Sequence, residues 1–219
     1  MQNTSHAVMA QRIEDRNSLD DFPTPPWATR ALIEYIISKK HDVSKQSCME
    51  PACGRGHMSK VLECYFKKTM SSDIENYGYA EQRDFLNTPL VTNEIDWVIT
   101  NPPFKAAENF VHHGLKVAKQ GVAILTRTVF IESVGRYDRL FSDNPPSIFA
   151  QFTERVPMVK GRLDKKASTA TGYCWLIWDK STNVDATSVF WIPPCRKKLE
   201  LEGDYDLPLT NALNKRKRA

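Results

Sequence analysis

Asn101-Pro102-Pro103-Phe104 directly follows an apolar run and carries the sharpest chemical signal in the chain. Two consecutive prolines hold the backbone rigid and extended. They leave the Asn101 side-chain oxygen and the Pro102 carbonyl oxygen as two fixed acceptors. A planar amino group donating to both has its lone pair turned towards an incoming methyl group. Phe104 offers a ring on which a flat base can stack. Asn101, Pro102, Pro103 and Phe104 are therefore the candidate catalytic residues.

Three weaker signals lie upstream. Glu50-Pro51-Ala52-Cys53-Gly54-Arg55-Gly56 stands between a strand pattern and a helix pattern, where glycines allow a sharp turn and close approach to a ligand. Asp73, beside Ile74, ends the next strand and can accept both hydroxyls of a ribose. Asp84 can accept from an adenine amino group while Phe85 packs on the ring. Singly, each has a plain structural explanation: a turn, a surface acid, a loop acid beside a core aromatic. Together they fall at successive strand ends, in the order an adenosyl ligand needs.

The elements that must position these residues alternate. Residues 27–40 carry helical spacing at Leu32, Ile33, Ile36 and Ile37, with Pro25 or Pro26 at the first turn. Strands are expected at 47–51, 69–74, 95–100 and 121–127, and helices at 58–66 and 106–118. This alternation predicts a mostly parallel sheet covered on both faces. Residues 147–156 and 173–179 read as an antiparallel hairpin. Its loop, 157–171, carries Lys160, Arg162, Lys165 and Lys166 as candidate nucleic-acid contacts. Residues 189–192 read as one more strand. The expected organisation is a loose segment 1–20, a single domain 21–195 and a basic tail 196–219, with no separate large target-recognition domain.

A chain of 219 residues, 41% hydrophobic and 26% charged, can bury one substantial core. Its 30 basic and 26 acidic residues leave a net charge of +4, and Lys215, Arg216, Lys217 and Arg218 account for all of it. The body is thus balanced, and the end is a candidate phosphate-binding tail or a solubilising one. Five cysteines without a C-x-x-C pair argue against a zinc site or a disulfide framework. Cys48, Cys64 and Cys174 read as core residues, and a reducing cytoplasm is the simplest compartment. The first residues do not read as a signal peptide, and no stretch is long and apolar enough to span a membrane. His112 and His113 read as surface residues rather than bases.

In order, F-P-T-P, E-P-A-C-G-R-G, S-D-I, D-F and N-P-P-F resemble the class I S-adenosylmethionine-dependent amino-methyltransferases. The likeness is specifically to the N6-adenine DNA methyltransferases, in their gamma-like motif order, and covers about residues 21–179. It implies a Rossmann-like α/β fold: a seven-stranded, mostly parallel sheet with one antiparallel strand and helices on both faces. It implies S-adenosylmethionine as cofactor and no metal. Phe22, Pro23 and Thr24 would close over its methionine part, with Glu50, Ala52 and Gly54 along its middle. Asp73 would hold the ribose, Asp84 and Phe85 the adenine, and Asn101, Pro102 and Phe104 the target base; Ile74 and Asn101 would also touch the cofactor. Pro157 and the segment towards Tyr173 would wall the base pocket. DNA is the implied partner, with RNA as the alternative, for a monomer or homodimer. Without a large recognition domain, specificity is expected to be short or relaxed, or supplied by a second specificity or restriction subunit.

Other readings compete. An RNA amino-methyltransferase, on adenine N6 or guanine N2, would use the same tetrapeptide. Protein glutamine methyltransferases usually carry Tyr where Phe104 stands. A catalytically silent nucleic-acid-binding module would not need Asp73, Asp84 and Asn101 intact. A nicotinamide enzyme is disfavoured because the loop is not G-x-G-x-x-G.

Overall fold

Period-two alternation builds the centre of the molecule. The computed structural model describes residues 20–87, 89, 94–182 and 186–206. Its strands are β1 (Ser47–Glu50), β2 (Lys68–Asp73), β3 (Glu81–Gln82), β4 (Ile95–Thr100), β5 (Ala118–Arg127), β6 (Ile148–Phe152), β7 (Tyr173–Asp179) and β8 (Ser188–Ile192). They form one sheet in the order β3-β2-β1-β4-β5-β7-β6-β8. Only β7 is antiparallel to its neighbours β5 and β6. Successive residues of a strand face opposite sides. Trp97, Ile99, Leu125, Trp175 and Ile177 accordingly enter one core layer. Val98, Val122, Ile124, Leu176 and Trp178 enter the other.

Helices cover both faces. α1 (Pro26–Tyr35) starts on Pro26, whose ring costs nothing at a first helical position. It ends at Ile36, where φ −123° and ψ −71° leave the helical region, so the expected helix 27–40 is shorter and continues as a 3-10 turn, Ile37–Lys39. α1 and α2 (His57–Tyr65) place Trp27, Leu32, Met58 and Leu62 in the first layer. α3 (Ala107–Val117) places Phe110 and Val111 in the second.

The sheet has eight strands, not the expected seven. β8 extends it beyond β6, burying Ile192 while Val189 and Trp191 face outwards. β3 is only two residues long, too short to show a period of its own. Cys48 and Cys174 are buried as expected, whereas Cys64 is exposed on α2. Residues 196–206, assigned from the sequence to a tail, pack on α1. Arg30 donates to both carboxylate oxygens of Asp204 at 2.7 Å and to the Leu199 carbonyl at 2.8 Å. Lys215, Arg216, Lys217 and Arg218 and residues 1–19 lie outside the described residues. Among the described residues no helix is long and apolar enough to cross a membrane.

Gly121 sits where β5 is pinched between β4 and β7. A Cβ there would stand 2.1 Å from the Trp178 carbonyl oxygen and 2.8 Å from the Trp97 ring. Because backbone cannot swing aside as a side chain can, Gly121→Ala should cost about 2–3 kcal/mol by overpacking. Urea unfolding measures the shift; an unchanged midpoint would mean that the two strands can separate cheaply.

Candidate active site

One cleft opens at the carboxyl ends of β1, β2 and β4. It is lined by Phe22, Pro23, Thr24, Glu50, Ala52, Gly54, Asp73, Ile74, Asp84, Phe85 and Asn101. All eleven expected cofactor residues therefore meet in one place, although they come from five separate stretches of chain. Ile74 is the most open of them, 54% exposed. Phe85 is 3% exposed and also belongs to the core, with Phe110 and His113 rings 5.1 and 4.6 Å away. That contact corrects the reading of His113, which is half-buried on α3 against Phe85; His112 beside it is also half-buried.

The glycine loop is built for backbone proximity. Gly56 has φ 81° and a Cβ there would strike the Tyr79 ring, so only glycine fits at this start of α2. Gly54 donates its N–H to Asp73 at 2.8 Å, and Glu75 donates to the other Asp73 oxygen at 2.9 Å. Burial raises the Asp73 carboxyl above its usual range, with these two bonds opposing the rise. Glu50 is deeper, 2% exposed. Ser59 donates to it, and Ser71 donates to Ser59 at 2.7 Å. Burial pushes the Glu50 carboxyl up to about 8, against the Ser59 bond and with a contribution from Asp73. Asp84 accepts from Leu86 N–H and the Asn87 amide; the Asn87 bond holds its carboxyl below the usual range.

A strap of residues 20–24 crosses the cleft and ties its walls together. The Asn101 amide nitrogen donates to the Phe22 carbonyl at 2.8 Å and to the Thr24 hydroxyl at 3.1 Å. Phe104 N–H donates to Asp20 at 3.1 Å. Arg55 forks onto Asp21 at 2.7 and 3.1 Å. Gly161 N–H, from the hairpin loop, donates to the Asp21 carbonyl at 2.8 Å, and Met158 of that loop lies 3.9 Å from the Asn101 amide nitrogen. The loop thus abuts the N-P-P-F segment.

With its nitrogen committed twice, Asn101 keeps its side-chain oxygen unbonded among the described residues. Pro103 lines the cleft beside it, whereas Pro102 is buried and Phe104 stands just outside. Phe104 is not an open platform: the Arg127 guanidinium lies 3.9 Å from its ring centroid, and the Phe22 ring 5.5 Å away. In the loop, Arg162 is exposed and paired with Asp164 at 3.2 Å. Lys165 and Lys166 are exposed and Lys160 is half-buried.

Sequence reading missed Asp20, Asp21, Arg55 and Arg127. Asp20 and Asp21 immediately precede F-P-T-P, and Arg55 separates the two glycines. Arg127 is a cation closing an apolar strand at the sheet edge where ligands collect, a signal that was readable.

Among solved structures, the chain resembles a candidate RNA methyltransferase from Pyrococcus horikoshii. The identity is 18% and the TM-score 0.54, over 74% of this chain and 87% of that one. It also resembles the modification subunit of a candidate type I restriction enzyme from Vibrio vulnificus. Here the identity is 15% and the TM-score 0.56, over 90% of this chain and 53% of that one. The fold is that of the class I methyltransferases. No family model matches the chain, and neither does any curated protein. In this methyltransferase fold β1 stands at the point where the strand order reverses, with β2 on one side and β4 on the other, and ligands bind at such a crevice. The cleft occupies that position. Among the described residues no group of His, Cys, Asp or Glu is arranged to hold a metal.

An acid that holds its proton more tightly when folded destabilises the fold as pH rises. Between its ordinary value of 4.5 and about 8, the wild type should lose stability relative to Glu50→Gln, with the full gap present above that window. Urea denaturation of both proteins at about pH 5, 7 and 9 tests the sign. Parallel profiles would mean that Glu50 ionises normally in the fold.

Proposed function

We propose that this chain transfers the methyl group of S-adenosylmethionine to an exocyclic amino nitrogen of a nucleic-acid base, with N6 of adenine in DNA as the leading target. The bonding of Asn101 carries this reading. Phe22 and Thr24 hold its amide nitrogen, so its side-chain oxygen can only accept. The Pro102 carbonyl, with no hydrogen bond among the described residues, is the second acceptor. Two acceptors and no donor suit an amino group and not a carbonyl.

The cleft fits the cofactor. Asp20, Asp21, Glu50, Asp73, Glu75 and Asp84 line it, against Arg55 and a buried His57 lowered to about 4 by burial and by Arg55. Such an excess of acids favours a cationic, hydroxyl-bearing ligand. When bound, S-adenosylmethionine supplies a methyl group already activated by a positive sulfur. Phe22, Pro23 and Thr24 would cover its methionine part, Glu50, Ala52 and Gly54 its middle, Asp73 its ribose, and Ile74, Asp84 and Phe85 its adenine. The chain's remaining work is orientation and charge stabilisation. Asn101 and Pro102 would hold the target amino group in place, and Pro103 would keep them rigid. A base in a duplex would have to be flipped out to reach them. Lys160, Arg162, Lys165 and Lys166, with Lys215, Arg216, Lys217 and Arg218, are the candidate phosphate contacts. Specificity would be short or relaxed, or would need a second subunit.

An RNA target is the second reading, favoured by the Pyrococcus structure, which bears the name of an RNA methyltransferase. The Vibrio structure, a modification subunit, favours DNA. Labelled S-adenosylmethionine offered to unmethylated DNA, total RNA and cell protein, with mass spectrometry of the products, separates the readings. N6-methyladenine in DNA is the expected product. Label in protein alone would overturn a nucleic-acid target, and cofactor binding without transfer would point to a silent module.

Two variants divide the roles. Asn101→Ala should lower turnover by about 100-fold or more while calorimetric cofactor binding stays near wild type. Asp73→Ala should weaken cofactor binding first, by about tenfold or more, as expected for bonds to a charged group. Full activity in Asn101→Ala would refute the assigned mechanism.

A further inference from the structure

Arg127 closes β5 at the edge of the sheet where the cleft opens, and no acid of the described residues balances it. The other arginine of the site, Arg55, is paired with Asp21 at 2.7 Å. Arg127 is instead packed among rings, 3.9 Å from the Phe104 centroid and 5.9 Å from that of Phe22. The Tyr173 hydroxyl also lies against the guanidinium, whose charge and hydrogen bond oppose the rise that burial gives that hydroxyl, but the Arg127 Nε is buried and has no hydrogen-bond partner. A buried donor left unsatisfied carries a desolvation penalty, which a small movement of the guanidinium towards an arriving acceptor would relieve. Stacking on a ring occupies the flat face of a guanidinium and leaves its in-plane N–H groups to donate. A base held at Asn101 lies three residues from Phe104, and its phosphates are one sugar away.

We propose that Arg127 binds a phosphodiester flanking the target base, donating in-plane to its oxygens while it stays stacked on Phe104. This rests on the nucleic-acid reading above and deepens it. Phosphate oxygens match the planar fork of arginine. A glutamine amide in a protein brings no such anion.

The test uses a single-stranded oligonucleotide with one target adenine and two variants. Arg127→Met keeps an unbranched stem to pack on Phe104 and removes the charge; Arg127→Lys keeps the charge. With Met, oligonucleotide affinity should fall about tenfold at low salt. The slope of log affinity against log salt should become shallower by about 0.7, the single-strand value for one lost phosphate contact. With Lys the slope should stay close to wild type, and calorimetric cofactor binding should be unchanged in both. As a check that needs no mutation, neutral methylphosphonates flanking the target adenine should weaken binding to the wild type similarly and should add nothing to Arg127→Met.

If the oligonucleotide is methylated but neither Arg127→Met nor the methylphosphonates change affinity or slope, the phosphate assignment is overturned and the methyl-transfer reading survives. If the wild type methylates protein and no nucleic acid, both fall together.

Discussion

Asn101 can present its side-chain oxygen outwards because its amide nitrogen is already committed to the Phe22 carbonyl and the Thr24 hydroxyl. An asparagine free to rotate would offer a donor as readily as an acceptor. The fold removes that choice with a strap 77 to 79 residues away in sequence. The same strap reaches the glycine loop through Asp21 and Arg55, the end of the N-P-P-F segment through Asp20, and the hairpin loop through Gly161. These contacts are charge-assisted or backbone bonds, stronger in a partly buried setting than on open surface. The glycine-loop side and the N-P-P-F side of the cleft are therefore held by one short piece of chain.

A second constraint is the cost of collecting acids in one crevice. The structure limits it in two ways. Glu50 is taken out of water, which raises its carboxyl, while Ser59 donates to it and Ser71 donates to Ser59. Asp73 accepts two backbone N–H groups, which offset part of the burial that raises it. The position follows from topology: parallel strands send all their carboxyl ends to one edge, so loops carrying Glu50, Asp73, Asp84 and Asn101 converge without any contact between them in sequence. Arg127 arrives at that edge by the same rule, from the next strand along.

Local stereochemistry and periodicity are properties of short stretches, so the sequence by itself determined the features that rest on them. Near-continuous apolar runs in 95–100, 121–127 and 173–179 specified strands buried on both faces. Consecutive prolines after Asn101 specified a rigid, extended segment, and Gly54 and Gly56 a close approach. With the resemblance to a known family that their order carries, these pieces anticipated that eleven residues would share one cleft. Tertiary structure decided everything that depends on which distant groups meet. It turned Phe104 from an open platform into the partner of Arg127, paired Arg55 with Asp21, and oriented the Asn101 amide. It placed the strand read at 189–192 beside β6 at the sheet edge, exposed Cys64, and drew residues 196–206 onto α1 through Arg30 and Asp204. The reason is physical: a periodic pattern states which side of an element is apolar, whereas an ion pair or a stacked guanidinium exists only when two elements are already in place.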